Sequence, residues 1–275
     1  MMRSMPAAPA VCSWSLRPRD ADHLAGLVRE CGLASVQLAL DPIRTGAMPL
    51  TDVRTAFSGH GIAIVSGMMA MAGEDYTTLE SIRRTGGIVP DATWPQNLAA
   101  ARENARIAAA LGIPLVTFHA GFIPHGELDP LRAALLERLA ALRDVFAGQG
   151  VRIALETGQE HAATLADLLG ELPGVDSNFD PANLILYGMD EPVSALRRLL
   201  PRVAQVHVKD AIRAREPGRW GAETVVGAGD VDWAAFLAVL RAAGRPIGLV
   251  IEREAGKTRV ADIRRAVALL QEHGA

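Results

Sequence analysis

Cysteine is scarce in this chain of 275 residues, which contains only Cys12 and Cys31. The two are not spaced as a CxxC pair, so the sequence offers neither a disulfide framework nor a cysteine-based zinc site. We therefore expect both to be small packing residues in a protein of the reducing cytoplasm.

Long apolar runs and an excess of basic charge are also lacking. No run approaches the roughly 18 apolar residues that a transmembrane helix needs, and the N-terminus MMRSMPAAPAVCSWSL lacks a signal-peptide core. The 28 Lys and Arg residues face 31 Asp and Glu residues and form no basic block. We therefore expect no membrane and no nucleic-acid partner, and the composition favours a soluble enzyme or a small-molecule binder.

Short β-like runs alternate with longer helical patterns along the whole chain. Apolar residues at spacings of three and four predict helices that pack against a sheet. The eight predicted strands are Val11–Ser15, Ser35–Leu40, Ile62–Gly67, Leu115–His119, Arg152–Glu156, Asp176–Asp180, Val203–His207 and Ile247–Glu252. The predicted helices are Asp20–Cys31, Gln96–Leu111, Pro130–Gly148, Thr164–Leu172, Pro192–Leu200, Trp233–Ala243 and Thr258–His273.

This alternation predicts an α/β fold, a single-domain (β/α)8 TIM barrel over residues 1–275, because eight βα units fit a chain of this length. A doubly wound open sheet is the competing fold. It is disfavoured because CSWSLRPRD, after the first strand, is not a GxGxxG phosphate-binding turn. Met68–Pro95 is the longest stretch without a clear element, and an insertion of this kind is expected on an active-site face.

Four of the later predicted strands end in an ionisable side chain. Glu156 ends RIALE, Asp180 ends SNFD, His207 ends AQVH and Glu252 ends GLVIE. Alone, each could be a helix cap or a satisfied core residue. The carboxyl ends of barrel strands converge on one mouth, however, so four such residues on consecutive strands favour a metal site.

The charge of these side chains sets a condition on the site. Three ionised carboxylates in a desolvated mouth repel one another, which raises each pKa unless a positive group lies between them. A divalent cation, or Lys209 and Arg213, could supply that charge. Carboxylate oxygens with one imidazole nitrogen suit one Mn²⁺, Mg²⁺, Co²⁺ or Zn²⁺ ion.

Six segments carry a family resemblance that extends over most of the chain. They are FHAG (118–121), LETGQE (155–160), NFDPANLILYG (178–188), VHVKDA (206–211), GAGDVDW (227–233) and VIERE (250–254). Together they resemble the sugar phosphate isomerase/epimerase family of xylose-isomerase-like TIM barrels. The resemblance implies a metal held by Glu156, Asp180, His207 and Glu252, and a possible homo-oligomer, since barrels of this type commonly form dimers or tetramers.

The ketose 3-epimerases of that group add two substrate-binding positions. Their Arg six residues after the metal His falls on Arg213, which is therefore expected to grip a substrate oxygen. Their His three residues after the metal Asp falls on Asn183, which can donate a hydrogen bond to a sugar hydroxyl but cannot shuttle a proton.

A DNA-repair branch of the superfamily, the endonuclease IV-like enzymes, gives a weaker resemblance. FHAG is similar to its FHPG segment, which makes His119 a possible ligand there. Asn183 replaces one of that branch's His ligands, and the loop GAETVVGAG lacks its Asp-x-His pair. We therefore expect no trinuclear zinc site, and His119 is either a substrate contact near the mouth or a buried residue bonded to backbone.

The predicted reaction is proton transfer next to a carbonyl of a small-molecule sugar or polyol ketone. The ion would stabilise an enediolate, with Glu156 and Glu252 as catalytic acid–base pair and ligands, and Asp180 and His207 mainly as ligands. Two alternatives stay open. A metal-dependent dehydratase (lyase) would act on a polyol ketone or keto acid through the same enolate, and a non-catalytic barrel would only bind sugar.

Three further positions have two interpretations each. Lys209 and Asp210 follow the predicted metal histidine and either support the ligands, with Asp210 orienting a ligand or anchoring Lys209, or form a surface ion pair. Trp14 either lines the sugar pocket or lies in the core. Asp230 or Asp232 is expected to cap the helix that follows.

Overall fold

A computed structural model describes residues 8–124, 126 and 129–274 of the chain. Eight parallel strands form a closed barrel in sequence order, and the last strand pairs with the first through Ala10–Val250 and Val11–Ile251. The barrel strands are β1 (Ala10–Cys12), β2 (Ser35–Ala39), β3 (Ala63–Met68), β4 (Leu115–Phe118), β5 (Arg152–Glu156), β6 (Val175–Phe179), β7 (Val203–Val208) and β10 (Gly248–Ile251). The predicted (β/α)8 barrel is confirmed.

The helices cover the outside of the barrel, which explains why most strand residues are buried and apolar. They are α1 (Ser13–Leu16), α2 (Ala21–Glu30), α3 (Asp41–Arg44), α4 (Leu50–His60), α5 (Leu79–Thr85), α6 (Trp94–Ala110), α7 (Pro130–Ala147), α8 (Ala162–Glu171), α9 (Pro181–Leu186), α10 (Pro192–Leu199), α11 (Trp233–Ala242) and α12 (Arg259–Glu272). All seven predicted helices are present, with ends shifted by a few residues. No described helix is long and apolar enough to cross a membrane.

The first predicted strand, Val11–Ser15, is wrong beyond Cys12. From Ser13 the chain turns into α1, which ends at Arg17 with a left-handed φ of 47°. The Ser13 hydroxyl accepts a hydrogen bond from the Ala39 N–H at 2.8 Å, and the Ser15 hydroxyl accepts one from the Arg253 N–H at 2.8 Å. These side chains therefore hold the turn against the end of β2 and the segment that follows β10.

Helix α4 was not predicted because its apolar face is narrow. In LTDVRTAFSGH only Val53, Ala56 and Phe57 are buried, so the helical period is weak. Its end follows the usual rule, since Gly61 takes a left-handed φ of 61° as the C-terminal cap.

The insertion between β3 and α6 contains α5 and folds against the loop that follows β4. A Cβ at Gly87 would lie 2.1 Å from the Ala120 backbone, so only glycine fits this approach. The Glu74 carboxylate accepts a hydrogen bond from the Gly87 N–H at 2.9 Å. The insertion thereby reaches the mouth of the barrel, as expected, and Glu74 and Tyr76 line the same cavity as Glu156.

A two-stranded hairpin follows β7 where the sequence indicated only loop. Strand β8 (Asp210–Ile212) pairs antiparallel with β9 (Ala222–Thr224). The Asp210 carboxylate, completely buried, accepts from the N–H groups of Gly227 and Gly229 at 2.9 and 3.2 Å and from the Trp233 indole at 2.9 Å. Asp210 therefore fixes the loop before α11, and Asp232 caps that helix by accepting from Ala235 N–H.

Candidate metal centre and substrate cavity

The four predicted ligands meet at the carboxyl end of the barrel. Glu156 ends β5, Asp180 follows β6, His207 lies near the end of β7 and Glu252 follows β10. One ligand atom from each residue lies within 4.8 Å of the corresponding atom of every other, and all four residues are buried. The geometry can therefore hold a metal ion.

The two ring nitrogens of His207 face different neighbours. Its Nδ1 lies 3.2 Å from Glu156 Oε1, 3.2 Å from Glu252 Oε2 and 3.7 Å from Asp180 Oδ2. Its Nε2 lies 2.9 Å from the amide oxygen of Gln37, which can only accept a hydrogen bond, and 3.1 Å from the amide nitrogen of Asn178. With the proton on Nε2, the lone pair of Nδ1 points at the carboxylates, as in metal-bound histidines.

Two buried atoms of the cluster have no hydrogen-bond partner among the described residues, namely Asp180 Oδ2 and His207 Nδ1. Buried polar atoms are normally satisfied, so each such case calls for an explanation. A divalent ion between the carboxylates would satisfy both atoms. The donor set and the orphaned atoms thus fit a metal.

When no ion is bound, bound protons compensate part of the negative charge of the carboxylates. Burial lowers the pKa of His207, but Glu252 and Glu156 outweigh it and raise the pKa well above its ordinary value. Burial raises the pKa of Glu252, yet His207 and Lys209 hold it well below its usual range. A metal ion would replace the imidazole proton, so binding is expected to release protons.

Lys209 lies inside the cluster and not in a surface ion pair. It is 2% exposed, with Nζ 2.9 Å from Glu252 Oε2 and 3.7 Å from Asp180 Oδ2, and it also donates to Glu254. Although burial opposes it, the pKa of Lys209 is raised by Glu252, Glu254 and Asp180. Removing one partner of such a buried pair leaves an uncompensated charge, which costs about 3–5 kcal/mol.

Glu156 is held instead by neutral amides. Asn183 donates from Nδ2 to Glu156 Oε1 at 3.2 Å and to the Thr157 carbonyl at 3.0 Å. Asn178 donates to Glu156 Oε2 at 3.4 Å. The half-buried His119 has its Nε2 3.6 Å from Glu156 Oε1, on the open side of the centre.

A cavity of about 570 Å³ opens above the cluster, within the range usual for small-molecule sites. It brings together six of the predicted site residues, which are Trp14, His119, Glu156, Asn183, Lys209 and Glu252. Further lining residues that the sequence did not single out are Glu74, Tyr76, Tyr187, Trp220, Glu223 and Glu254.

Arg213 and Asp210 do not join this cavity. The exposed guanidinium of Arg213 lies 3.4 Å from the Met189 carbonyl and 3.3 Å from the Asp190 carbonyl. The hairpin turns outward at this point, so Arg213, six residues after His207, does not reach the mouth. Asp210 neither anchors Lys209 nor orients a ligand, because its oxygens are used by the loop before α11.

A layer of neutral polar side chains lies inside the barrel, next to the ligands, and was missed from the sequence. Ser66 on β3 donates to Gln205 on β7 across the barrel at 2.6 Å, and Gln205 donates to Asn178 at 3.0 Å. Gln37 donates to Thr117 at 3.0 Å. All five residues are at most 2% exposed. The signal in the sequence is a polar residue inside an apolar strand, as in SVQLA and AQVH.

Comparisons with known proteins agree with this architecture. Residues 25–273 match a family model described as a xylose isomerase-like TIM barrel. A curated relative, the uncharacterized protein YihM of Escherichia coli, is 28% identical over 149 residues, which are 53% of this chain and 45% of that protein. The chain thus matches less than half the length of this relative.

Three solved structures share the whole barrel. A xylose isomerase domain protein from Planctomyces limnophilus has a TM-score of 0.85 at 28% identity, covering 98% of this chain and 97% of the other. A xylose isomerase-like barrel protein from Mycobacterium smegmatis in complex with magnesium scores 0.72 at 18% identity, covering 99% and 98%. The 3-keto-D-glucoside 4-epimerase of E. coli scores 0.73 at 16% identity, covering 96% and 99%.

Proposed function

The chain belongs to the family of xylose isomerase-like TIM barrels, and from this premise we propose that it is a divalent-metal-dependent isomerase or epimerase of a sugar or polyol ketone. The observation that carries the proposal is the convergence of four buried candidate ligands, of which His207 Nδ1 and Asp180 Oδ2 have no hydrogen-bond partner among the residues that the structure describes. The magnesium complex and the keto-sugar epimerase among the related barrels support the same chemistry.

Glu156, Asp180, His207 and Glu252 would hold the ion. When bound, the ion supplies Lewis-acid stabilisation of negative charge on adjacent substrate oxygens, worth several kcal/mol. Mn²⁺, Mg²⁺, Co²⁺ and Zn²⁺ all suit this mixed oxygen and nitrogen set.

Glu156 and Glu252 act as the acid–base pair in this proposal. They come from separate strands, and each has an oxygen 3.2 Å from His207 Nδ1, so both reach the centre of the site. One carboxylate removes the proton next to the substrate carbonyl, and the other returns a proton at the opposite face or the neighbouring carbon.

The remaining residues of the site hold and orient this pair. Asn183 fixes the Glu156 carboxylate through Oε1, and Lys209 balances the charge of Glu252 and Glu254. His119 contacts the substrate from the open side of Glu156, and the half-buried Trp14 supplies an apolar wall that limits access of water.

Exchange with deuterated water tests this function directly. The protein, loaded in turn with each of the four metals, is incubated in deuterated water with a panel of ketoses and keto-inositols. We expect deuterium at the carbon next to a carbonyl, its loss after chelation and its return when metal is restored. Metal-loaded protein that binds a sugar without any exchange would instead be the non-catalytic sugar-binding barrel.

One observation favours a metal-dependent dehydratase as the second candidate. A side cavity of about 20 Å³ shares Glu156 and His119 with the main cavity and is lined by Glu160. Burial raises the pKa of Glu160 to about 7, so this carboxyl is still partly protonated at neutral pH and could give its proton to a leaving hydroxyl. Loss of a hydroxyl from a polyol ketone, followed as a new ultraviolet absorbance, would separate this reaction from isomerisation.

A further inference from the structure

The hairpin of β8 and β9 presents an aromatic side chain to the cavity. Trp220 lies just before β9 and packs against Tyr187, with ring centroids 4.8 Å apart and ring planes inclined by 50°. Both residues line the 570 Å³ cavity that contains Glu156 and Glu252. Tyr187 follows helix α9, whose N-terminal cap is the ligand Asp180, so the aromatic pair is built onto the metal centre.

The position of Trp220 is fixed from both sides. On one side the Gly221 N–H donates to the Leu186 carbonyl at 3.0 Å, and a Cβ at Gly221 would lie 2.8 Å from the Ile212 carbonyl oxygen. On the other side Glu223 accepts hydrogen bonds from the N–H groups of Glu254 and Ala255 at 3.0 and 3.1 Å. A wall held in this way is preorganised, which lowers the entropic cost of binding.

The indole N–H of Trp220 is buried and has no hydrogen-bond partner in the part of the chain that the structure describes. An indole nitrogen can only donate, and leaving a buried donor unpaired costs about 1–3 kcal/mol. The other buried indole, that of Trp233, donates to Asp210 at 2.9 Å. Because Nε1 is buried, the part of Trp220 that lines the cavity is its apolar ring.

The cavity is also larger than one sugar ring requires. At about 30 Å³ for each water molecule, 570 Å³ corresponds to roughly twenty waters, more than a single hexose displaces. The cavity therefore has room for more than a monosaccharide bound at the ion.

The charge of the lining argues against a phosphate in that region. Among the described lining residues are five glutamates, at positions 74, 156, 223, 252 and 254. Lys209 is the one Lys or Arg of the described lining, and its ammonium group is engaged by Glu252 and Glu254. A neutral group is thus favoured over an anionic one.

We propose that Tyr187 and Trp220 form a subsite for a second sugar ring, so that the substrate class is a keto sugar in glycosidic linkage to another sugar. The apolar face of the second ring packs on the aromatic pair. This inference rests on the proposed function for the identity of the first ring.

The test compares D-fructose with isomaltulose, a disaccharide in which the same ketose carries a glucosyl ring. Calorimetry on metal-loaded protein is expected to give at least tenfold tighter binding of isomaltulose, which corresponds to about 1.4 kcal/mol. Trp220→Ala should remove this advantage while fructose affinity changes less than twofold. Trp220→Phe, which keeps an aromatic ring, should retain most of it.

Trp94→Phe is the matched control, because Trp94 packs near Arg138 and lies outside the described cavity lining. Equal binding of the two sugars, or binding of neither, overturns the subsite. So does a Trp220→Ala variant of unchanged metal content that weakens fructose and isomaltulose equally, or tighter binding of fructose 6-phosphate than of isomaltulose.

Deuterium exchange separates failure of the subsite from failure of the function. Exchange into fructose without any advantage for isomaltulose overturns the subsite alone. An advantage for isomaltulose that Trp220→Ala abolishes, without exchange into either sugar, supports the subsite and contradicts the isomerase.

Discussion

The two halves of the barrel contribute different chemistry to the same centre. Strands β5, β6, β7 and β10 end in or lead directly to the charged ligands, whereas β2, β3 and β4 place neutral groups inside the barrel, namely Gln37, Ser66 and Thr117. The halves meet at His207, whose Nδ1 faces Glu156 and Glu252 while its Nε2 faces Gln37. The later half therefore supplies all the ionisable residues of the centre, and the earlier half supplies Gln37, which together with Asn178 of β6 contacts Nε2 of the ring.

This difference explains which part of the site could be predicted from the sequence. An ionisable residue after an apolar strand contrasts with its surroundings, so Glu156, Asp180, His207 and Glu252 stand out. Gln37 and Gln205 also contrast with the apolar strands around them, but that contrast does not show which residues they contact. Their roles depend on hydrogen bonds between residues far apart in sequence, which a local pattern does not contain.

Most of the fold could also be predicted from local sequence patterns, with a few exceptions. Alternating strands and helices require only local periodicity, and the closed barrel follows from their number. Helix α4 buries too few apolar residues to show a period, and α1 depends on hydrogen bonds that the Ser13 and Ser15 hydroxyls accept from the N–H groups of Ala39 and Arg253, both distant in the sequence. The hairpin that carries Arg213 outward and Trp220 inward is likewise a tertiary feature.

The largest effect is expected from removing charge in the later half. Glu156→Gln and Glu252→Gln each keep the size of the side chain but cannot accept the substrate proton, so the deuterium-exchange rate should fall about 10²–10⁴-fold. Exchange is followed by proton NMR at saturating metal. Glu272→Gln on the exposed end of α12 is the control, and it should leave the rate unchanged. Loss of less than tenfold in both variants would contradict the acid–base assignment.

Glu160 is an exception to the division between a charged and a neutral half of the barrel. It belongs to the later half, but its carboxyl stays neutral over part of the pH range. Its pKa is raised by burial from 4.5 to about 7, so the folded state prefers the protonated form. The cost of ionising it is absent below pH 4.5, grows between pH 4.5 and 7 and is complete above pH 7. The protein should therefore lose stability as the pH rises through this window.

Glu160→Gln removes that cost and keeps an acceptor for the Gly158 N–H, which now donates to Glu160 Oε1 at 3.0 Å. Relative to the native protein, the variant should gain up to about 3 kcal/mol between pH 5 and pH 8. Urea denaturation at each pH measures the difference, with Glu272→Gln as the reference. A difference that is constant with pH would show that Glu160 is ionised in the folded protein.

Gln37→Met tests the contribution of the earlier half. The variant removes the acceptor for His207 Nε2, so the imidazole loses its orientation and metal affinity should fall about 10–100-fold. Calorimetric titration with Mn²⁺ gives the affinity. Gln205→Met is the matched control, because Gln205 bonds Ser66 and Asn178 and does not itself bond the imidazole. If the two variants weaken metal binding equally, the whole layer and not Gln37 positions the ring.

The smallest effect is expected at Arg213, where the resemblance to ketose 3-epimerases and the structure disagree. Because its guanidinium lies exposed against the carbonyls of Met189 and Asp190, Arg213→Ala should change the exchange rate and the KM for a ketose less than twofold. Asn183→Ala, which frees the Glu156 carboxylate inside the cavity, should lower the same rate by tenfold or more. A tenfold rise in KM for Arg213→Ala would mean that the hairpin swings inward when substrate binds. In that case a cation contacts the sugar in the complex, and the division between a charged and a neutral half holds only for the free protein.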